Sequence, residues 1–470
     1  MKAGITLGGL LLGGIAITLG QMNATAIADG DGVAGSIGQD VIVGSIPNMQ
    51  KFGTVGGITA YSAATTSCNI GDEILDWVAS TNIHPVIPQN LYRYKDGRLE
   101  QIGQSWLKHG FCALQQTLCG PCQPAGGGCP PRLGIGCSDP YSSSLNGQQS
   151  NLGPRSEVNA ATGFFPYPFS APAAPAVVGR RLQVANVDLD PALNPGAEYF
   201  VEGMYIHPQD AEDGNDNNNA SYRPVNVGSF SGGGYNLSTT GSTRQMQPAI
   251  YAWQEVDPSV EIVPIDIEGD GRILLGYTVI DNGDGTWNYE YAIYNLNSNL
   301  SVGSLAMAVP DSFSTSDAGF SDCDSHSGEP YSNSDWSPRL TDGILSWSTV
   351  PVALNPDANA IRWNTMYNFW LTSDQPPVEG EVNIGLFKNG ASMMQTALVP
   401  SAASEPCPAD IDGDGVVDGA DLGVVLGAWG TDGGDVGIFF QLGFGDQFFD
   451  HHIDHGPGRK RQGIGQHRLD

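Results

Sequence analysis

Five carboxylates recur at fixed steps near the C-terminus. Asp410, Asp412, Asp414 and Asp418 fill positions 1, 3, 5 and 9 of a twelve-residue loop that Asp421 closes at position 12. Gly415 stands at position 6, where such a loop must turn sharply, and Val416 at position 7 can offer only its backbone carbonyl. Carboxylates packed this closely repel one another. A hard divalent cation that takes six to eight oxygen ligands relieves the repulsion, so the pattern points to Ca2+ held by Asp410, Asp412, Asp414, Val416, Asp418 and Asp421. The bland alternative is an acidic surface turn. Leu422, Val425, Leu426 and Trp429 follow at i, i+3, i+4 and i+7, one face of a helix. A helix of about ten residues is marginal alone in water, so the ion and a packing partner would have to hold it.

Other residues could also do chemistry. Cys119-Gly-Pro-Cys122 spells a thioredoxin-like redox motif, but Gln-Pro-Ala-Gly-Gly-Gly follows it. A reactive thiolate belongs at a helix N-terminus, and that sequence cannot open a helix. A zinc knuckle from Cys112, Cys119, Cys122 and Cys129 is the second option, with disulfides preferred in an exported chain. His84, His109 and His207 could assemble with Glu202 into a metal or hydrolytic site. Asp266-Ile-Glu-Gly-Asp-Gly271 begins like a second calcium loop, but Leu274 and Tyr277 occupy its positions 9 and 12, so a β-turn is the better reading. Asp210 to Asn219 reads as a polar loop that cannot bury itself, with a less specific capacity for calcium. Gly-x-Ser-x-Gly is absent, which argues against an α/β-hydrolase nucleophile.

The elements that must position these groups are mostly strands. The chain has 63 Gly and 31 Pro, and 50 acidic against 20 basic residues for a net charge of −30. No basic surface is available for nucleic acid. Lys2 precedes an apolar stretch from Ala3 to Gly20, and Ala26-Ile27-Ala28 supplies a small-x-small site, so residues 1 to 28 read as a signal peptide cleaved after Ala28. A retained anchor is the alternative; no later segment approaches a membrane span. Residues 29 to 245 hold six of the eight Cys and read as a Cys-rich loop and β domain whose disulfide pairing stays open among fifteen possibilities. Cys323 and Cys407 are expected to pair with each other or to leave at least one thiol free. Strands are expected at Leu182–Val187 and Tyr199–Ile206.

Residues 246 to 399 show period-two alternation at Ile273–Val279, Trp287–Ile293 and Trp363–Leu371, with a shorter strand at Val382–Phe387. Asp281-Asn-Gly-Asp-Gly285 is a hairpin connection between the first two. The fold class is therefore mainly β, an antiparallel sandwich-like body after a disulfide-rich region. Six of the nine Trp lie between Trp253 and Trp370. Their preferred place is the core, and exposed rings that stack on sugars are the alternative. Residues 400 to 409 form a linker, 410 to 435 the calcium repeat, and 436 to 470 an atypical tail expected to be disordered, with a cluster of His451, His452 and His455.

Loop and helix together resemble one half of a dockerin. The resemblance covers Asp410 to Gly430 and implies the same six ligands, with Gly419 and Ala420 at the pair that contacts cohesin. It departs from the family after Asp435, where no second loop follows; a frameshifted second repeat is the expectation. The phrases GQSWLKHGFCAL, GCSDPYSSSLNG, LGPRSEVNAATG and IRWNTMYNFWL resemble a family of uncharacterised exported bacterial proteins. The leading reading is an extracellular or cell-surface, non-catalytic protein attached through the repeat to a cohesin-like or surface partner. The rival is a secreted polysaccharide-active hydrolase or carbohydrate-binding protein.

Overall fold

Alternating apolar residues form strands that bury one face, and several strands here, among them Glu198–Met204, Trp287–Asn295 and Thr365–Ser373, bury two. The computed structural model describes residues 36–310 and 312–400. The calcium repeat, the signal segment and the tail lie outside the described residues. Among the described residues the three larger sheets stack as layers, and three further sheets have only two or three strands each.

The first layer is an eight-stranded antiparallel sheet. Its order is Gly234–Thr239, Ala220–Ser231, Glu198–Met204, Gln89–Lys95, Arg98–Gln104, Leu182–Ala185, Ile58–Ala63 and Met49–Val55. The sheet curls until its edges meet: Lys51 Nζ donates to the Ser231 and Gly234 carbonyls at 2.6 and 3.0 Å. The strand expected to run to Val187 ends at Ala185, and Asn186–Leu189 coils into a short helix. The Asn186 amide takes a bond from Thr59 Oγ1 and gives one to the Gly233 carbonyl, competing with ladder pairing.

Beside this sheet, Cys112 to Cys137 runs mostly as loops, as its composition implies. Disulfides join Cys68 to Cys119, Cys112 to Cys129 and Cys122 to Cys137. The two Cys of the Cys-Gly-Pro-Cys sequence therefore go to different partners, which removes both the redox and the zinc reading. Cys323 forms no disulfide among the described residues.

The second layer is a five-stranded sheet in the order Glu261–Asp266, Arg272–Asp281, Trp287–Asn295, Thr365–Ser373 and Thr315–Ser321. The expected hairpin forms, with Ile273 opposite Asn295 and Asp281 opposite Trp287. The expected turn at Asp266–Gly271 also forms, with Asp266 and Arg272 paired at its base. The third layer, also five-stranded, runs Arg339–Thr341, Ile344–Ser348, Val302–Ala308, Pro377–Leu386 and Ser392–Pro400. Tyr289, Tyr291 and Ile293 pack towards it with Leu305, Trp347 and Ile384.

The opposite face of the middle sheet is buried too. Leu274, Ala292, Tyr294 and Met366 pack on Tyr92, Leu99, Phe200 and Tyr222 of the first layer. Glu290 sits on this face and is buried, although alternation alone assigns it to solvent. Arg98 makes its burial tolerable with two bonds of 2.6 and 2.7 Å. Arg98 follows an Asp96-Gly97 turn with φ of 51° and 85°, the left-handed pair that a tight hairpin needs. Four of the six clustered Trp are buried (Trp253, Trp336, Trp347 and Trp363), and Arg98 stacks on Trp370 at 3.6 Å. The core placement is the one observed.

Candidate functional site

The junction between the first two layers holds the densest set of polar side chains. Period two on Glu198–Met204 places Phe200, Glu202 and Met204 on the face towards the middle layer. Glu202 lies opposite Asn90 on one neighbouring strand and Tyr222 on the other. Its Oε1 accepts from Asn90 Nδ2 at 3.0 Å, Tyr92 OH at 3.1 Å, Tyr294 OH at 3.1 Å and Asn364 Nδ2 at 2.8 Å. Its Oε2 accepts from the Ala249 backbone N–H at 2.6 Å. Complete burial raises the Glu202 carboxyl pKa, and the donors from Ala249, Asn364 and Asn90 oppose that rise. A general base needs a free lone pair facing a substrate, whereas Oε1 is surrounded by protein donors and Oε2 is buried against the Ala249 N–H.

Arg155 is the basic counterpart. Its Nε donates to the Ser105 carbonyl at 2.6 Å, and Nη2 donates to Asn90 Oδ1 at 2.8 Å and the Gln89 carbonyl at 3.2 Å. Its Nη1 donates to the Asn364 carbonyl at 3.1 Å. Asn90 and Asn364 therefore stand between a buried acid and a buried base and bond to both. Beside Arg155 a small cavity is lined by Gln104, Cys323, Glu329, Arg362 and Tyr367. It encloses about 20 Å³, room for one water. Glu329 accepts from the Arg155 and Ser156 backbone N–H groups at 2.5 and 3.2 Å. Burial pushes the Cys323 thiol up, which makes it a poor nucleophile. A more open groove of about 340 Å³ lies by Asn194, Glu198, Tyr199, Asn226 and Thr240.

The expected constellation of His84, His109, His207 and Glu202 does not assemble. His207 donates from Nε2 to the Asp76 carbonyl at 2.7 Å and accepts at Nδ1 from Gln209 N–H at 3.1 Å, so both ring nitrogens are used. His84 and His109 do meet, with His84 Nε2 3.0 Å from His109 Nδ1. The His84 Nδ1 lies 3.2 Å from the Val78 carbonyl and must carry the proton there, so Nε2 accepts from His109 Nδ1–H. Burial lowers both, His84 to about 4 and His109 to about 3, and the Lys108 charge adds to the lowering in each. Phe165 packs against both rings and Phe169 stacks on His109 at 4.3 Å. Glu202 bonds elsewhere, to the asparagines and tyrosines above. Among the described residues no three His, Cys, Asp or Glu side chains converge on one metal position.

Asn90, Arg155 and Asn364 were not picked out by chemical reasoning on the chain. A signal existed. Arg155 lies in LGPRSEVNAATG and Asn364 in IRWNTMYNFWL, two of the phrases that carry the resemblance to exported proteins. These phrases meet again where Trp363 Nε1 donates to the Val158 carbonyl at 3.1 Å.

No family model and no curated protein matches this chain. Solved structures that align with it include two bacterial adhesins. One is the N-terminal domain of the Streptococcus gordonii adhesin Sgo0707, at 8% identity and a TM-score of 0.18 over 73% of this chain. The chain spans 62% of that structure's length. The other is the serine-rich repeat adhesion glycoprotein Srr1 from Streptococcus agalactiae, at 7% identity and a TM-score of 0.18, covering 72% of this chain and 88% of that one. At this TM-score neither similarity carries an argument. Among the described residues no helix is long and apolar enough to cross a membrane.

Proposed function

We propose that this chain is an exported, cell-surface protein whose layered β body is a rigid scaffold, attached through the calcium loop at Asp410 to Asp421. The observation that carries the reading is the set of three disulfides at Cys68–Cys119, Cys112–Cys129 and Cys122–Cys137. Three structural disulfides on a loop-rich segment belong to an oxidising compartment outside the cytosol. The polar residues that would serve catalysis support a scaffold role as well. Glu202, Arg155, His84 and His207 spend their bonding capacity on backbone groups and on neighbouring Asn, Tyr and His side chains.

Attachment rests on the loop sequence and its resemblance to half a dockerin. In this reading Ca2+ is bound by Asp410, Asp412, Asp414, Val416, Asp418 and Asp421, and the partner is a cohesin-like or surface protein. The apolar stripe of Leu422, Val425, Leu426 and Trp429 then needs a surface to rest on, because residues 436–470 supply no second loop of this kind. A titration of the full chain with calcium, read by fluorescence and circular dichroism, tests this. The native chain should respond at a midpoint near ~10⁻⁴ M, typical of extracellular sites, beyond any response of an Asp412→Ala, Asp414→Ala variant. Equal responses from both would mean that the loop is only an acidic turn. Screening the same full chain on glycan arrays and polysaccharide substrates tests the rival reading, and turnover of any polysaccharide would replace the scaffold role.

A further inference from the structure

Three apolar side chains stand exposed in a row on the disulfide-tied segment: Phe111 at 40%, Leu114 at 36% and Leu118 at 56%. Their backbone runs beside the strand Ser138–Tyr141, with Gln116 paired to Ser138. The Phe111 N–H donates to Tyr141 OH at 3.2 Å, the Leu114 N–H to Asp139 Oδ1 at 2.8 Å and the Leu118 N–H to Ser138 Oγ at 3.1 Å. Cys112 and Cys119, bonded to Cys129 and Cys68, anchor the two ends of the row. The row is therefore held in place with its apolar side chains outward. Leu114 and Leu118 are four residues apart, at most about 13 Å.

A second observation points to what sits on the row. Lys108 is 2% exposed, and among the described residues its ammonium belongs to no ion pair. Its Nζ lies 4.9 Å from the centre of the exposed Phe111 ring and 5.8 Å from that of Tyr141. Burial lowers its pKa to about 8, so most of its charge is present at pH 7. A buried cation with ring faces for neighbours is costly until an anion reaches it. The row with Lys108 at its Phe111 end fits an apolar stripe that carries carboxylates beyond one end.

We propose that Phe111, Leu114 and Leu118 are the seat of this chain's own C-terminal stripe, Leu422, Val425, Leu426 and Trp429, with Lys108 facing the acids beyond it. The proposal rests on the reading of residues 410–430 as a calcium-held loop and helix. Seven helical steps of 1.5 Å from Leu422 to Trp429 make about 10 Å, a length similar to the row. Asp432 and Asp435 follow Trp429. The Trp429 end therefore belongs at Phe111, where those carboxylates meet Lys108. Reach is ample. The 21 residues from 401 to 421 span up to about 70 Å. A body of this length has a radius of gyration of about 21 Å. A tethered stripe acts at an effective concentration of about 1 mM, so a contact too small to hold a free partner suffices. Docking covers both apolar surfaces at once.

The test uses the full chain in calcium, with its metal content measured and hydrogen exchange followed on peptides covering residues 107–118. Leu422→Ser with Trp429→Ser should speed exchange there about tenfold. Leu114→Ser with Leu118→Ser changes exposed residues only and should speed exchange of residues 420–430 by a similar factor. Carbodiimide should join Lys108 to Asp432 or Asp435 in the parent and in neither variant. Equal exchange at 107–118 in the parent and the Leu422→Ser, Trp429→Ser chain would overturn the seat. Calcium bound alongside that result leaves the attachment reading standing. A chain that binds no calcium removes the attachment reading, and the same comparison of exchange still decides the seat. Protection that grows with protein concentration would place a second copy on the row and overturn the proposal as well.

Discussion

Asn364 Nδ2 donates to Glu202 Oε1 over 2.8 Å, from a backbone held at φ 53°. The bond joins residues 162 apart in sequence and crosses from the middle sheet to the first. Asparagine is one of the few residues with a side chain that accepts this backbone region readily. It supplies both the conformation and the donor that a buried carboxylate needs. Its carbonyl also accepts from Arg155, so one residue connects the buried acid and the buried base.

Replacing Asn364 separates these two contributions. Asn364→Gly keeps the backbone and loses the donor, and should cost about 2 kcal/mol of unfolding free energy. Asn364→Ala also puts a Cβ in the left-handed region and should cost about 1 kcal/mol more. Urea unfolding of the two variants beside the parent checks the order. Equal stability of all three would remove Glu202 from the account of how the layers are held.

Arg98 is the second tie between layers, with two bonds to Glu290 and its guanidinium over Trp370. Arg98→Ala strands a mostly buried carboxylate and should destabilise by about 3 kcal/mol. The double variant Arg98→Ala, Glu290→Gln should recover part of that loss, since the unpaired charge is gone. A double variant as unstable as Arg98→Ala alone would show that the stacking on Trp370, not the charge pair, is what counts.

The His84–His109 pair makes the body acid-sensitive. Both rings titrate below the ordinary histidine value, at about 4 and about 3. Above pH 6.5 folded and unfolded chains are both neutral at these sites, and their full contribution is present. As pH falls below 6.5 the unfolded chain takes up protons that the folded chain refuses, so stability drops down to the folded values. Asp139, raised to about 7 by burial, works the other way between pH 7 and 3.8. Comparing His109→Gln with the parent cancels that opposing contribution. The variant should lose less stability between pH 6.5 and 4, by on the order of 2 kcal/mol. Parallel pH profiles would contradict the buried neutral pair.

Peptide mapping of the secreted chain should find Cys68–Cys119, Cys112–Cys129 and Cys122–Cys137. Cys323 should be alkylated more slowly in the folded than in the unfolded protein, because its thiol is half-buried and its pKa raised. Removing the Cys112–Cys129 link should cost about 3 kcal/mol, as expected for a closed loop of this size. A Cys119–Cys122 bond in the native protein would restore the redox reading.

Much of the fold follows from local pattern. The hairpin of Arg272–Asp281 and Trp287–Asn295 is legible because alternation, turn residues and strand length agree. The burial of Glu290 and Tyr294 is not, because it depends on a sheet drawn from residues far away in sequence. Glu202, Asn364 and Arg155 meet for the same reason: each is an ordinary polar residue until the layers stack. The loop at Asp210 shows the limit of composition. Its acids and amides read as solvated, yet the chain edge at residues 36–41 folds over them. The pairing of the six clustered Cys was equally hidden, since spacing does not choose among the possible bonds.

The most direct test of the scaffold-and-attachment account is surface labelling of cells that express the full chain, with and without calcium chelation. Antibody or protease should reach the protein on intact cells. Chelation, or the Asp412→Ala, Asp414→Ala change, should release a folded, disulfide-bonded chain into the medium. A chain found in the cytosol with reduced Cys112, Cys119 and Cys122, or one that stays attached whatever the calcium and whatever the loop, would contradict the account.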